Sequence, residues 1–145
     1  MASALFVKTF ESALKNDLAL DLDNDTFYCM LVKAAYTPDF EVHTNKSQVT
    51  DEVTGTNYTT GGNAMTGITF AGSSDGTGTL KWDAANVTWP NSTISAVRAA
   101  VIYDNTVPDQ RLIGYIDFLG DFSTTSGTFQ IEWNASGIFT LDLKP

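Results

Sequence analysis

Large apolar residues return at four-residue steps near the start of the chain: Phe6, Phe10, Leu14 and Leu18, with Ala13 beside them. Lys8, Glu11, Lys15 and Asp17 take other directions. The spacing predicts one apolar stripe on a helix of about four turns within residues 1–20. A helix that short is marginal alone in water, so its stripe must pack, either on its own domain or on a neighbouring subunit. Phe6, Phe10, Leu14 and Leu18 are therefore the candidate interface residues. Asp21-Leu-Asp-Asn-Asp25 ends the helical pattern.

After Asp25 the period changes from helical to alternating. Residues 26–36 are apolar on both alternating faces, as in a central strand covered on both sides, until Pro38 and Asp39 break it. Residues 40–53 are polar and weakly helical, with Gly55 placed to end such a helix. Strands then follow at 64–71, 79–83, 87–89 (halted by Pro90), 92–103 and 111–119, with turns at 72–78 and 104–110. The clearest pair comes last. Phe129, Ile131 and Trp133 alternate with Thr128, Gln130 and Glu132. Asn134-Ala-Ser-Gly137 makes a tight turn, and Phe139, Leu141 and Leu143 alternate with Thr140 and Asp142. The pattern predicts a hairpin with one wet and one dry face. Seven or eight strands at this spacing predict an all-β chain: one domain over residues 1–145, with an N-terminal amphipathic helix (1–20) and a β-sandwich or jelly roll (25–145).

Composition narrows the function classes. The 145 residues carry 43% hydrophobic and only 17% charged side chains, enough apolar material for a core. Eight Lys and Arg against 17 Asp and Glu leave a net charge of −9, which repels phosphate backbones and argues against a nucleic-acid partner. The start lacks a basic segment followed by a long apolar run, and no apolar run approaches 18 residues. Neither a signal peptide nor a membrane span is expected. Ser and Thr together number 30, suited to the wet faces and turns of strands. Without a signal peptide, the six Asn-x-Ser/Thr triplets read as a by-product of that abundance.

Candidate chemistry is sparse. Cys29 is the single cysteine, so no intrachain disulfide forms, and its apolar surroundings predict a buried, inert thiol. His43 is the single histidine and sits in a polar stretch with no nucleophile elbow nearby. One His and one distant Cys do not make a zinc set. Asp21, Asp23 and Asp25 have the spacing of a calcium loop, but Thr26 stands where Gly belongs and Val32 where Glu belongs. Asp117, Asp121 and Glu132 are available as paired carboxylates for glycoside hydrolysis, a pairing that any acidic chain offers by chance. No catalytic, cofactor-binding or metal-ligating residue is expected.

Several stretches in order carry a resemblance: Val53-Thr-Gly-Thr-Asn-Tyr-Thr-Thr-Gly-Gly62, Val87-Thr-Trp-Pro-Asn-Ser-Thr-Ile94, Arg98-Ala-Ala-Val-Ile-Tyr-Asp104, Leu112-Ile-Gly-Tyr-Ile-Asp-Phe118 and Gly127-Thr-Phe-Gln-Ile-Glu-Trp-Asn-Ala-Ser-Gly-Ile138. Together, over residues 25–143, they resemble small virion structural proteins of tailed double-stranded DNA bacteriophages. Pro90 after Trp89 departs from the pattern. The resemblance implies a non-enzymatic capsid decoration (cement) protein without cofactors. Such a protein is made in the host cytoplasm and binds the major capsid protein on the shell exterior, with a homo-oligomer, commonly a trimer, as its working form. The alternative is a tail- or fibre-associated virion protein that binds host glycans, with Trp82, Trp89 and Trp133 as a stacking platform.

Overall fold

A computed structural model describes residues 2–144. The chain is mostly β-sheet with one short helix. In order the elements are β1 (Ala4–Leu5), α1 (Val7–Leu14), β2 (Phe27–Val32), β3 (Gly55–Thr56), β4 (Asn63–Ala64), β5 (Thr69–Gly72), β6 (Thr79–Asp83), β7 (Val87–Asp104), β8 (Leu112–Ile131) and β9 (Phe139–Asp142). The larger sheet runs β1-β8-β7-β2-β4 with β3 added on β7, and the smaller runs β5-β6-β9. No helix among the described residues is long and apolar enough to cross a membrane.

β2 shows why the double-faced apolar run is needed. Phe27, Cys29 and Leu31 enter one core with Trp82, Trp89, Ile102 and Ile113. Met30 and Val32 enter a second core on the opposite face with Phe6, Tyr36, Val101, Tyr103 and Leu112. With both faces closed, each such side chain contributes about 1.5–3 kcal/mol of burial. On one edge of β2, Gly62 leads into β4 at φ +80, and a Cβ there would overlap the carbonyl oxygen of Cys29. Gly62→Ala is therefore expected to destabilise the chain by about 2 kcal/mol or more, through strain and a displaced β4. Thermal unfolding checks it: the melting temperature should fall by several degrees.

β7 and β8 form one long antiparallel ribbon, and its register slips at five places. Bulges bend a ribbon and increase its twist. Four residues near these slips hold left-handed conformations without being glycine: Asn91 (φ 52), Ala96 (φ 55), Leu119 (φ 63) and Ser126 (φ 48). The largest slip sets residues 118–121 of β8 against Arg98 alone. The consequence is visible in two rings of the same strand. Phe118 and Phe129 would stand roughly 36 Å apart on a straight strand, yet their centroids are 5.9 Å apart. The ribbon folds back on itself, and its two halves supply Val87, Trp89 and Ile131 on one side, Ala100, Ile102 and Ile113 on the other, to one core.

Several expectations change, first in strand bounds: 26–36 shortens to Phe27–Val32, 64–71 to Thr69–Gly72, and 111–119 runs on to Ile131. The helix spans Val7–Leu14 rather than about four turns, because Asn16 turns left-handed (φ 64) and the Asn16 and Asp17 N–H groups close on the carbonyls of Ala13 (3.1 Å) and Ser12 (2.9 Å), a Schellman ending. Residues 40–53 hold a single 3-10 turn, Lys46–Gln48, opened by a capping box in which Gln48 Oε1 accepts the Asn45 N–H at 3.0 Å and ended by Val49, whose backbone is extended (φ −83, ψ 123). Pro90 does not halt its strand: Pro90 and Asn91 oppose Thr128 alone, so the missing N–H falls where the ladder is already interrupted.

The last change concerns the final hairpin. The Asn134–Gly137 turn closes as expected, Gly137 N–H to Asn134 O at 2.8 Å, but it passes the chain from one sheet to the other. Residues 129–131 pair with β7, whereas β9 pairs with β6. Alternation reports which face is wet and says nothing of which strand lies alongside.

Candidate interaction surface

The helical stripe divides between inside and outside. Phe6, just before α1, is fully buried, tilted against Phe40 at 5.3 Å. Its packing partner is the chain's own core. Phe10 is half-buried and meets Phe139 edge-on at 5.8 Å. Leu14 is 89% exposed, and Leu18, beyond the helix, is half-buried. The stripe thus begins in the core and ends at the surface, beside an open groove of roughly 500 Å³ lined by Phe10, Leu14, Leu20, Leu22, Phe70 and Leu141.

A second apolar surface lies at the bend of β8, where the sequence pattern offers only the carboxylates Asp117 and Asp121. Leu119 is 86% exposed and Phe122 52% exposed. Beside them an open cup of roughly 430 Å³ is lined by Phe118, Phe122 and Phe129 together with hydroxyl and amide side chains such as Thr128 and Gln130. Asp117 Oδ1 accepts the Leu119 N–H at 2.8 Å, and Arg98 Nε donates to Asp121 Oδ1 at 2.7 Å, so the bulge is held from both ends. The apolar run 111–119 marks Leu119 in the sequence. Its escape from the core depends on a slip in register that no local pattern announces.

The remaining candidates are occupied in structural roles. His43 stacks on Tyr36, and its Nδ1 lies 3.2 Å from both the Tyr36 hydroxyl and the Asp39 N–H. Asp21 accepts from the N–H groups of Asp23 and Asn24 at 3.0 Å each, and Asp25 Oδ2 accepts the Asp21 N–H at 2.9 Å. The carboxylates close a turn instead of converging on a cation. Among the described residues no three His, Cys, Asp or Glu side chains gather as a metal set. Burial pushes the Cys29 thiol up, away from the thiolate.

Of the carboxylates named for hydrolysis, Asp121 is paired with Arg98. The backbone N–H of Leu119 holds Asp117 below the ordinary carboxylate range, the wrong direction for a general acid. The carboxyl that is raised, to about 7, is Asp104: burial is the main cause and the neighbouring Asp25 adds to it. Asp104 is fully buried, out of reach of a substrate. Trp82 and Trp89 are also buried, which removes two of the three rings from a stacking platform. Trp133 is half-buried, and its Nε1 donates to Ala85 O at 3.0 Å. Comparison with protein-family models, with curated proteins and with solved structures finds no match to this chain.

Proposed function

We propose that this protein is a non-enzymatic decoration protein of a tailed-phage head, binding the outside of the major capsid shell as a homo-oligomer. The observation that carries the reading is the emergence of the helical stripe at the surface: Leu14, 89% exposed, opens onto an apolar groove that none of the described residues fills. An exposed apolar groove on an acidic, well-packed chain suits a contact with another protein. Many such contacts on a shell gain avidity from the array. The net charge of −9 keeps the free protein soluble before it meets the shell. Within this reading, the two-sheet body is the jelly-roll-like sandwich that the strand spacing predicts.

The test mixes purified protein with bare, expanded heads and measures bound copies and resistance to heat. Saturable binding in hundreds of copies per particle and a higher disruption temperature are expected. Leu14→Asp changes an exposed position, so the chain should stay folded while shell binding weakens about tenfold or more. Decorated and bare heads of equal stability would sink the proposal.

A further inference from the structure

We propose that the bulge at Leu119 is a self-association surface, with Leu119 of each copy seated in the Phe118–Phe122–Phe129 cup of a second copy about a two-fold axis. Knob and cup lie side by side on one strand: Leu119 stands 86% exposed and Phe122 52% exposed, next to an open cup of roughly 430 Å³. A patch carrying both a projecting side chain and a matching hollow is complementary to itself, which is what a two-fold contact requires.

Charge permits a second copy as the occupant. Two chains of net charge −9 repel over most of their surfaces. At this patch, residues 122–131 contain no charged side chain, and the carboxylate closest in sequence to Phe122, Asp121, is neutralised by Arg98 at 2.7 Å. Two copies can meet here without opposing bare carboxylates, and the apolar rings leave water as they do so.

Backbone conformation gives the third argument. Leu119 holds φ 63, a region that costs free energy for a bulky side chain. The chain maintains that conformation with the Asp117 carboxylate on the Leu119 N–H at 2.8 Å. The result is a leucine aimed outward, where it gains nothing within its own chain. Burial against a second copy recovers what the conformation costs.

The inference rests on the isolated chain's geometry and uses neither the groove at Leu14 nor the decoration reading. Sedimentation velocity across the micromolar range tests it on the full chain. The wild type should sediment as a dimer, and Leu119→Asn should shift the dissociation constant at least tenfold toward monomer. Asn is at home in the left-handed region, so this variant keeps the bulge and should melt no lower than the wild-type monomer. Phe122→Ser, at a half-exposed position, is the second variant and should act in the same direction. A wild type that stays monomeric overturns the proposal. So does a dimer that both variants leave intact, and a Leu119-dependent trimer overturns its two-fold geometry. Loss of shell binding with the dimer preserved would instead count against the groove at Leu14.

Discussion

Truncating Trp82 to alanine is expected to cost about 3–5 kcal/mol, a large share of the roughly 5–15 kcal/mol that holds a domain together. Trp82 sits on β6 of the smaller sheet and is fully buried. Its ring meets Phe27 of the larger sheet at 5.0 Å and Phe139 of β9 at 5.5 Å. Its Nε1 donates to the Leu22 carbonyl at 2.8 Å, tying down the segment that links α1 to β2. One side chain thus joins both sheets and the connection beside them. The cavity left by alanine removes the packing, and the Leu22 carbonyl loses its donor at the same time. Urea denaturation measures the loss as a lowered midpoint. Trp82→Phe, which keeps one ring against Phe27 and Phe139 but loses the hydrogen bond and part of the buried indole, should cost less than alanine, about 1–3 kcal/mol. A Trp82→Ala penalty below about 1 kcal/mol would show that the smaller sheet is not anchored through this residue.

The second large effect is a dependence on pH centred on Asp104. Oδ1 accepts the Thr106 N–H at 2.8 Å, while Oδ2 is buried without a hydrogen-bond partner. Burial, with the adjacent Asp25 carboxyl, pushes the group from the usual 3.8 up to about 7. The proton is therefore kept in the folded chain and released in the unfolded chain between about pH 4 and 7. Over that window the folded state binds more protons, so stability falls as pH rises and the loss is complete above about pH 7. A proton on Oδ2 converts an unsatisfied acceptor into a donor toward Asp25. Without it, a negative charge lies buried beside a second carboxylate. Every tenfold gain in proton affinity on folding is worth about 1.4 kcal/mol, enough to lower the melting temperature by several degrees between pH 5 and pH 8.

Asp104→Asn preserves the shape, supplies a permanent donor toward Asp25 and carries no charge. The variant should melt higher than the wild type at pH 8, and its profile between pH 5 and 8 should be flatter. Parallel profiles for the two proteins would refute the assignment. The opposite trend belongs to more acidic solutions. Asp21, Asp75 and Asp117 are held below the ordinary carboxylate range by hydrogen bonds to their charged forms. What those bonds contribute is present near neutrality and is lost as pH falls through the lowered values.

Particular residues show where the sequence is readable. Alternating Phe27, Cys29 and Leu31 against Met30 and Val32 announce a strand closed on both faces, and both cores are there. The strand at residues 79–83 is bounded correctly because apolar and polar positions alternate between two turns. The turn at residues 134–137 is visible in its Asn and Gly. In each case the signal is local: side-chain period and turn chemistry act within a few residues of one another.

Partnership between strands is not readable in the same way. The wet and dry faces at residues 129–133 are right in kind, but the dry face expected at 139–143 fails, with Leu141 37% and Leu143 67% exposed, and the two segments lie in different sheets. Pro90 reads as a stop because a proline lacks the N–H a ladder needs, and the register slip that accommodates it involves Thr128, nearly forty residues away. The surface at Leu119 is invisible for the same reason. A leucine closing an apolar run is a core residue by pattern, and only the four-against-one slip opposite Arg98 turns it outward. Even the helical stripe is half resolved: its period is plain, but which end meets the core depends on what Phe6 and Phe10 find there.

By itself, then, the sequence determined a strand-rich, acidic chain with an amphipathic helix near its start, a single cysteine in an apolar strand, a single histidine in a polar stretch, and enough apolar material for a core. Those properties follow from side-chain chemistry and from periods of two and about four residues. Tertiary structure alone decided which strands pair, that one ribbon doubles back to face itself, and which apolar side chains remain in water. Pairing and exposure are set by contacts between residues far apart in the chain, and a one-residue slip in such a contact moves a side chain from core to surface without altering any local pattern.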